Sequence, residues 1–305
     1  MLTNLVDNIL ANWQGLPPPP THRQTRIMTN GPLGLDPNAL LAEWERRVRA
    51  NNEQAERFRE ATERPDFYAP VAANFKVDPC RNDEPALDVL RAMVVPGETW
   101  LDIGAGGGRY ALPLALAGAK VVAVDPSAGM LSVLREAATE FDVPGVEVIE
   151  GRWPAVETPA ADVCFIAHVS YDIAEIGPFL DAMEQKASRL CVAVLLAEAP
   201  ASQAALLWPS VHGEERHLLP ALQEFLAVLL ARGKLPAVSL GERAAVGYPS
   251  LEAVENFARM QLFIEQEGPG AARMREALPG LAKEIDHRFY LSERPIQLGI
   301  VSWKP

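Results

Sequence analysis

The chain has 305 residues, 49% of them apolar, with 28 basic against 40 acidic side chains and a formal net charge of −12. That is enough chain for a packed core with additions, and the acidic balance argues against nucleic acid as a partner, which calls for clustered Lys and Arg. Neither a membrane span nor a signal peptide is expected, since no apolar run is long enough and residues 1–27 lack an uninterrupted apolar core.

Residues 1–35 read as a peripheral extension. Pro17 to Pro20 form a polyproline run that joins neither helix nor sheet, and Met28 is a second plausible start. Asp36-Pro37 then reads as an N-cap with proline in the first turn, and Leu41, Trp44, Val48, Ala55 and Phe58 follow at helical spacing until Pro65. The connector from Asp66 to Phe75 carries Phe67, Tyr68 and Phe75 and leads to a helix over 83–93. Residues 36–82 are therefore expected to form a helical cover or lid.

From Glu98 strand and helix alternate regularly, which indicates a parallel sheet covered on both faces. Strands are predicted at Trp100–Ile103, Lys120–Val124, Val146–Glu150, Asp162–Ala167 and Arg189–Ala197, with helices at Tyr110–Ala117, Gly129–Phe141 and Gly177–Lys186. Residues 200–235 break the rhythm as a helical insertion, with Trp208-Pro209 in a turn and a helix over Leu219–Ala231. A sixth strand is predicted at Val238–Leu240, a helix at Ser250–Phe263 and a last strand at Ile296–Trp303. Cys80, Cys164 and Cys191 have neither pairable nor metal-ligand spacing, so no metal site is expected and a reducing cytoplasm is the simplest setting.

The stretch Leu101-Asp-Ile-Gly-Ala-Gly-Gly-Gly-Arg109 sits between the first strand and the following helix. Glycines there let the backbone turn tightly and approach a ligand, and the helix offers its N-terminus to it. About twenty residues on, the second strand ends in Asp125, placed to hold ribose hydroxyls. Gly106 to Ala111 also satisfies G-x-G-x-x-A, a dinucleotide fingerprint. Asp102 argues against that reading, because a carboxylate closing the strand would repel a pyrophosphate and suits an ammonium group.

The order Asp102-x-Gly104-x-Gly106-x-Gly108 resembles the first motif of the class I S-adenosylmethionine-dependent methyltransferases. Asp125-Pro-Ser-Ala-Gly-Met-Leu131 is similar to that family's second signature, and Asp162 to His168 to its fourth strand. The resemblance implies an α/β fold, a doubly wound, mostly parallel seven-stranded sheet, over residues 83–305. It implies S-adenosyl-L-methionine as cofactor, held by Asp102, Gly104, Ala105, Gly106, Gly108, Asp125, Pro126, Met130, Ala167 and His168. Where the family often reads Gly-Asp-Ala after the third strand, this chain has Gly151-Arg152-Trp153, so Arg152 and Trp153 are the adenine-side candidates. Arg109, in the first helical turn, could reach the methionine carboxylate and calls for a compensating acid.

His168 ends a buried strand where the methyl group is expected and is the candidate proton acceptor. Tyr68, Tyr171, His212, Arg216 and His217 are candidates for the acceptor pocket. The expected function is methyl transfer to an unidentified small molecule. A silent cofactor-binding scaffold and an NAD(P)-dependent oxidoreductase are the alternatives. A homodimer through the N-terminal helix is the one self-association the sequence offers.

Overall fold

The computed structural model describes residues 34–60, 66 and 69–305. The extension expected over 1–35, apart from its last two residues, and the connector's Phe67 and Tyr68 lie outside the described residues. Helix α1 (Pro37–Phe58) starts as the sequence suggests, with Asp36 as N-cap accepting the Asn38 amide at 2.9 Å and proline in the first turn. It ends at Phe58, before Pro65, where Arg59 turns extended.

After α2 (Pro85–Met93) the chain alternates: β1 (Thr99–Ile103), α3 (Ala111–Leu116), β2 (Lys120–Asp125), α4 (Ala128–Glu140), β3 (Val146–Glu150), β4 (Ala161–Ala167), α5 (Ile176–Lys186) and β5 (Ala187–Leu196). The runs Val121–Val124, Val163–Ile166 and Cys191–Leu196 are apolar at every position because the sheet buries both faces. Side chains alternate across it. Leu101, Ile103, Val122 and Ile166 pack against Trp44 and Val48 of α1 and Phe179 and Leu180 of α5. Trp100, Val121, Phe165 and Val192 pack against Leu87 and Leu90 of α2, Leu112 of α3 and Leu134 of α4.

The chain continues through a 3-10 segment (Pro200–Leu207), α6 (Trp208–His212), α7 (Leu222–Ala231) and β6 (Ala237–Arg243). Next come α8 (Leu251–Gln261), α9 (Pro269–Leu281), a small hairpin of β7 (Lys283–Ile285) and β8 (Arg288–Tyr290), and finally β9 (Ile296–Trp303). The main sheet has seven strands in the order β3-β2-β1-β4-β5-β9-β6, with β9 antiparallel to both its neighbours and all other pairs parallel. This is the doubly wound, mostly parallel α/β sheet expected.

The region after β5 differs in detail from the sequence reading. Trp208-Pro209 opens a helix rather than a turn, since proline is tolerated in a first helical turn. Helix α7 begins at Leu222, where Glu224 reaches back to the Ala221 amide at 2.9 Å, rather than at Leu219. Phe225, Val228 and Leu229 join the core beneath the sheet, so α7 packs as a layer helix. A further group of helices forms a helical lobe with its own core. Trp208 and Val211 of α6, Val254 and Ala258 of α8, and Met274 and Leu278 of α9 share a third core, against which Phe58 of α1 packs.

Candidate active site

Strand order reverses at β1, whose neighbours are β2 on one side and β4 on the other. Ligands of open α/β sheets bind beyond the carboxyl ends of the strands at such a point. The Gly104–Gly108 loop, Asp125 and the turn after Ala167 meet there.

The loop is pinned from β2. The amides of Gly104 and Ala105 donate to the Val124 carbonyl at 2.7 and 3.1 Å, and the Gly106 amide donates to Asp125 Oδ2 at 2.9 Å. Gly104 has φ +76°, and a Cβ on it would stand 2.5 Å from Val169 Cγ2. Backbone conformation and space therefore both require glycine. A Cβ on Gly106 would meet Met130 Cε at 3.0 Å, so Met130 forms one wall of the cradle.

The other carboxylate oxygen of Asp125 accepts the Ser127 amide at 2.9 Å, and Ser127 caps α4 by accepting the Met130 amide at 3.1 Å. Asp66 completes this end. It accepts the Ser127 hydroxyl at 2.8 Å and the Gly129 amide at 3.2 Å, which docks the connector onto the start of α4. The following 3-10 segment (Ala69–Phe75) lies over the same region, with Ala72 packed on Met130 and Val133 and Phe75 against Gly107.

Acids dominate the electrostatics. Asp102 is 2% exposed, and burial followed by the charge of Asp125 pushes its carboxyl up to about 8. Burial also raises Asp125, as does Asp66, against the lowering effect of the Ser127 and Gly106 amides. Arg109 does not offset this charge. It is ion-paired to Glu84 at 2.6 Å, and it lies in the turn ahead of the Tyr110 N-cap rather than in the first helical turn the sequence suggested.

Glu84, just ahead of α2, was not apparent from the sequence and is 2% exposed. It also receives Arg81 Nη2 at 2.8 Å and the Tyr110 hydroxyl. Burial opposes its ionisation, but the Tyr110 hydrogen bond and the Arg109 and Arg81 guanidiniums prevail and hold it at about 2. Tyr110 Oη lies 3.1 Å from His168 Nε2. Burial, reinforced by Arg243 and Arg109 against Glu84, brings the His168 imidazole down to about 4. His168 and Ser170 have φ of +56° and +92°, and His168 Nδ1 and Ser170 Oγ are buried with no hydrogen-bond partner among the described residues. Strain and orphaned polar atoms in one turn are the marks of a site.

The remaining candidates fall in two groups. Pro126 and Arg152 are exposed near the ends of β2 and β3, Trp153 packs partly buried against the α1 face of the sheet, and Ala167 pairs with Val194. Tyr171 is buried and accepts the Leu196 amide at 2.7 Å. His212, Arg216 and His217 lie in the lobe and bond back to it or to α1. His212 Nε2 faces the Leu262 carbonyl at 3.0 Å, and the His217 amide donates to Gln54 at 2.8 Å. Arg216 is clamped by Asn51 and Gln54 over the Trp208 ring, 4.0 Å from its centroid. Among the described residues, the hydrogen bonds of His212, Arg216 and His217 do not reach the carboxyl edge of the sheet. Tyr68 lies outside the described residues. No metal-binding group of three or more His, Cys, Asp or Glu occurs among the described residues, nor any helix long and apolar enough to cross a membrane.

Residues 101–191 match the family model described as a methyltransferase domain. No curated protein matches the chain. Among solved structures, an S-adenosylmethionine-dependent methyltransferase from Geobacter sulfurreducens in complex with S-adenosylhomocysteine aligns with a TM-score of 0.51 at 14% identity, over 79% of this chain and 100% of that one. Magnesium protoporphyrin IX methyltransferase from Synechocystis gives 0.46 at 14% identity, over 72% of this chain and 82% of its own. Coclaurine N-methyltransferase gives 0.45 at 12% identity, over 87% of this chain and 92% of its own. At 14% identity the Geobacter sulfurreducens structure shows a likeness of fold alone. Residues 101–191 are thus similar to a methyltransferase domain, and they form the part of the doubly wound sheet in which the glycine loop is pinned to Asp125.

Proposed function

We propose that this protein transfers the methyl group of S-adenosylmethionine to a small-molecule acceptor at the carboxyl edge of the sheet. The observation that carries this reading is the acidic seat around the glycine loop, where Asp125 lies close enough to raise Asp102 and Asp66 close enough to raise Asp125, while Arg109 is ion-paired to Glu84. Such a field favours a ligand bearing ammonium and sulfonium charge and disfavours the pyrophosphate of a nicotinamide cofactor.

In this reading Asp102 and the backbone of Gly104, Ala105, Gly106 and Gly108 hold the amino-acid end of the cofactor. Asp125 holds the ribose, exchanging its present amide contacts in part for hydroxyls. Pro126, Met130, Arg152 and Trp153 border the adenine, and Ala167 and His168 form the shelf beneath the methionine moiety. S-adenosylmethionine, when bound, supplies a methyl group on a sulfonium sulfur that is already a good leaving group. The work left to the chain is to align the acceptor and exclude water.

His168 accepts the acceptor's proton. An imidazole held near 4 is a weak base, yet a freshly methylated hydroxyl is far more acidic than imidazolium, so the transfer runs downhill. Tyr171 borders the acceptor, and the lobe carrying His212, Arg216 and His217 closes over it, with Arg216 and His217 serving as pins to α1. The net charge of −12 favours a small acceptor over nucleic acid, and a cytoplasmic setting suits the free cysteines.

A panel of small hydroxyl, amine and thiol acceptors, assayed by S-adenosylhomocysteine release, tests this. Turnover with at least one acceptor, abolished in Asp102→Ala, is expected. Tight S-adenosylhomocysteine binding with no donor consumption across the panel would favour a silent scaffold. Stabilisation by NADP instead would place the chain's activity elsewhere.

A further inference from the structure

Glu84, Tyr110 and His168 form a chain of hydrogen bonds in which each proton can be placed. Glu84 Oε2 receives two guanidiniums, Arg81 at 2.8 Å and Arg109 at 2.6 Å, so the carboxyl is ionised and can only accept. Tyr110 has one hydroxyl proton and gives it to Glu84 Oε1. Its oxygen therefore turns lone pairs alone toward His168 Nε2, 3.1 Å away. A hydrogen bond across that gap requires the proton on Nε2. A neutral imidazole carries only one such proton, which leaves Nδ1 with a bare lone pair. That atom is buried and has no partner among the described residues, as is true of Ser170 Oγ in the same strained turn.

We infer that Glu84 and Tyr110 are positioning residues that lock His168 in the Nε2–H tautomer, making Nδ1 the atom that receives a proton from the methyl acceptor. The tautomer follows from the hydrogen bonds alone; the proton's origin rests on the methyltransferase reading above. The bond between the acceptor atom and the methyl carbon forms as the bond from that carbon to sulfur breaks, its electron pair remaining on sulfur. The acceptor's proton passes to the Nδ1 lone pair, giving an imidazolium whose Nε2–H stays on Tyr110 and, through it, on the Glu84 carboxylate. The acceptor must therefore carry a transferable proton, as O–H, N–H or S–H, at the methylated atom. The charged groups bearing on this imidazole are Arg243 at the end of β6, Arg109 after the glycine loop and Glu84. Burial and the two arginines oppose protonation and Glu84 favours it, so the imidazole is a transient proton carrier and is neutral at rest.

The test is side-chain nitrogen NMR on the intact protein. The chain has five histidines, and the His168 signals are those absent from His168→Asn. At pH 7 Nε2 should resonate as a protonated ring nitrogen and Nδ1 as an unprotonated one. In Tyr110→Phe both signals should move toward the averaged positions of a tautomer mixture, a change that loss of packing alone would not produce. Glu84→Gln should do the same, and Tyr110→Phe decides the matter if Glu84→Gln does not fold. An Nδ1–H tautomer in the parent, or an unchanged tautomer in folded Tyr110→Phe, would overturn the inference. Titration of the same parent sample with S-adenosylhomocysteine separates the two levels. Failure to bind it, with the tautomer as expected, contradicts the cofactor reading and leaves the tautomer assignment standing.

Discussion

Asp102 shows most sharply how this site sets stability against function. A folded-state carboxyl raised to about 8 is favoured in its protonated form, so it costs the native state nothing below its unfolded value near 4. The cost grows as pH rises through the window from about 4 to 8 and is full above it. Asp102→Asn should therefore stabilise the ligand-free protein at pH 7, on the order of 2–4 kcal/mol, and flatten its stability between pH 4 and 8. It should also weaken S-adenosylhomocysteine binding by tenfold or more. Urea unfolding across that pH range and calorimetry check the two halves. His168 supplies a second prediction. Its imidazole, held to about 4, stays neutral through the range where an ordinary histidine titrates. Turnover should show no inflection near pH 6.5 from this group, and a break there that disappears in His168→Asn would contradict the assignment. Asp102, the glycines, Asp125 and His168 were legible because strand ends and glycine spacing are local patterns. Glu84 was not. Next to Pro85 it reads as a helix cap, and only folding brings it to Arg109, 25 residues away.

At the scale of elements, the sequence was most legible where both faces of a segment are buried. Continuous apolar runs marked β2, β4 and β5, and Asp36 announced α1 through its capping chemistry, whereas the Ser127 cap of α4 emerged only in the structure. Helix α9 was not legible, because Pro269, Gly270, Pro279 and Gly280 break its pattern and only one turn-spaced face, with Ala271, Met274 and Leu278, is buried. The short β7–β8 hairpin is mostly exposed and shows no alternation to read. Among the described residues, Asp66 docks the connector by reaching the start of α4. Asp66→Ala should remove about 1 kcal/mol, the worth of a cap. Hydrogen exchange should quicken at residues 69–75 and in the first turn of α4 while the sheet amides stay protected. Equal protection in both proteins would show that Phe75 and Ala72 hold the connector unaided.

Across the whole molecule, α1 ties the sheet to the lobe. Trp44 and Val48 belong to the sheet's core, Phe58 to the lobe's, and Asn51 and Gln54 between them clamp Arg216. That arginine is buried with no ion pair to a carboxylate among the described residues, and its desolvated guanidinium is brought down to about 10. Arg216→Ala should cost about 2 kcal/mol through lost hydrogen bonds and stacking. It should separate unfolding of the lobe from that of the sheet, seen as non-coincident fluorescence and circular dichroism transitions. S-adenosylhomocysteine affinity should change little, because the pin lies in the lobe and the cofactor seat on the sheet. The doubly wound sheet was readable from the alternation of strand and helix. The lobe was not, since its core is assembled from α1, residues 200–216 and residues 245–291, distant in sequence. The central claim is that the acidic seat holds S-adenosylmethionine, and isothermal titration of S-adenosylhomocysteine into the parent and Asp125→Ala measures it most directly. Saturable one-to-one binding, weakened at least tenfold in the variant, is the predicted result; no binding, or equal affinity in both proteins, would contradict it.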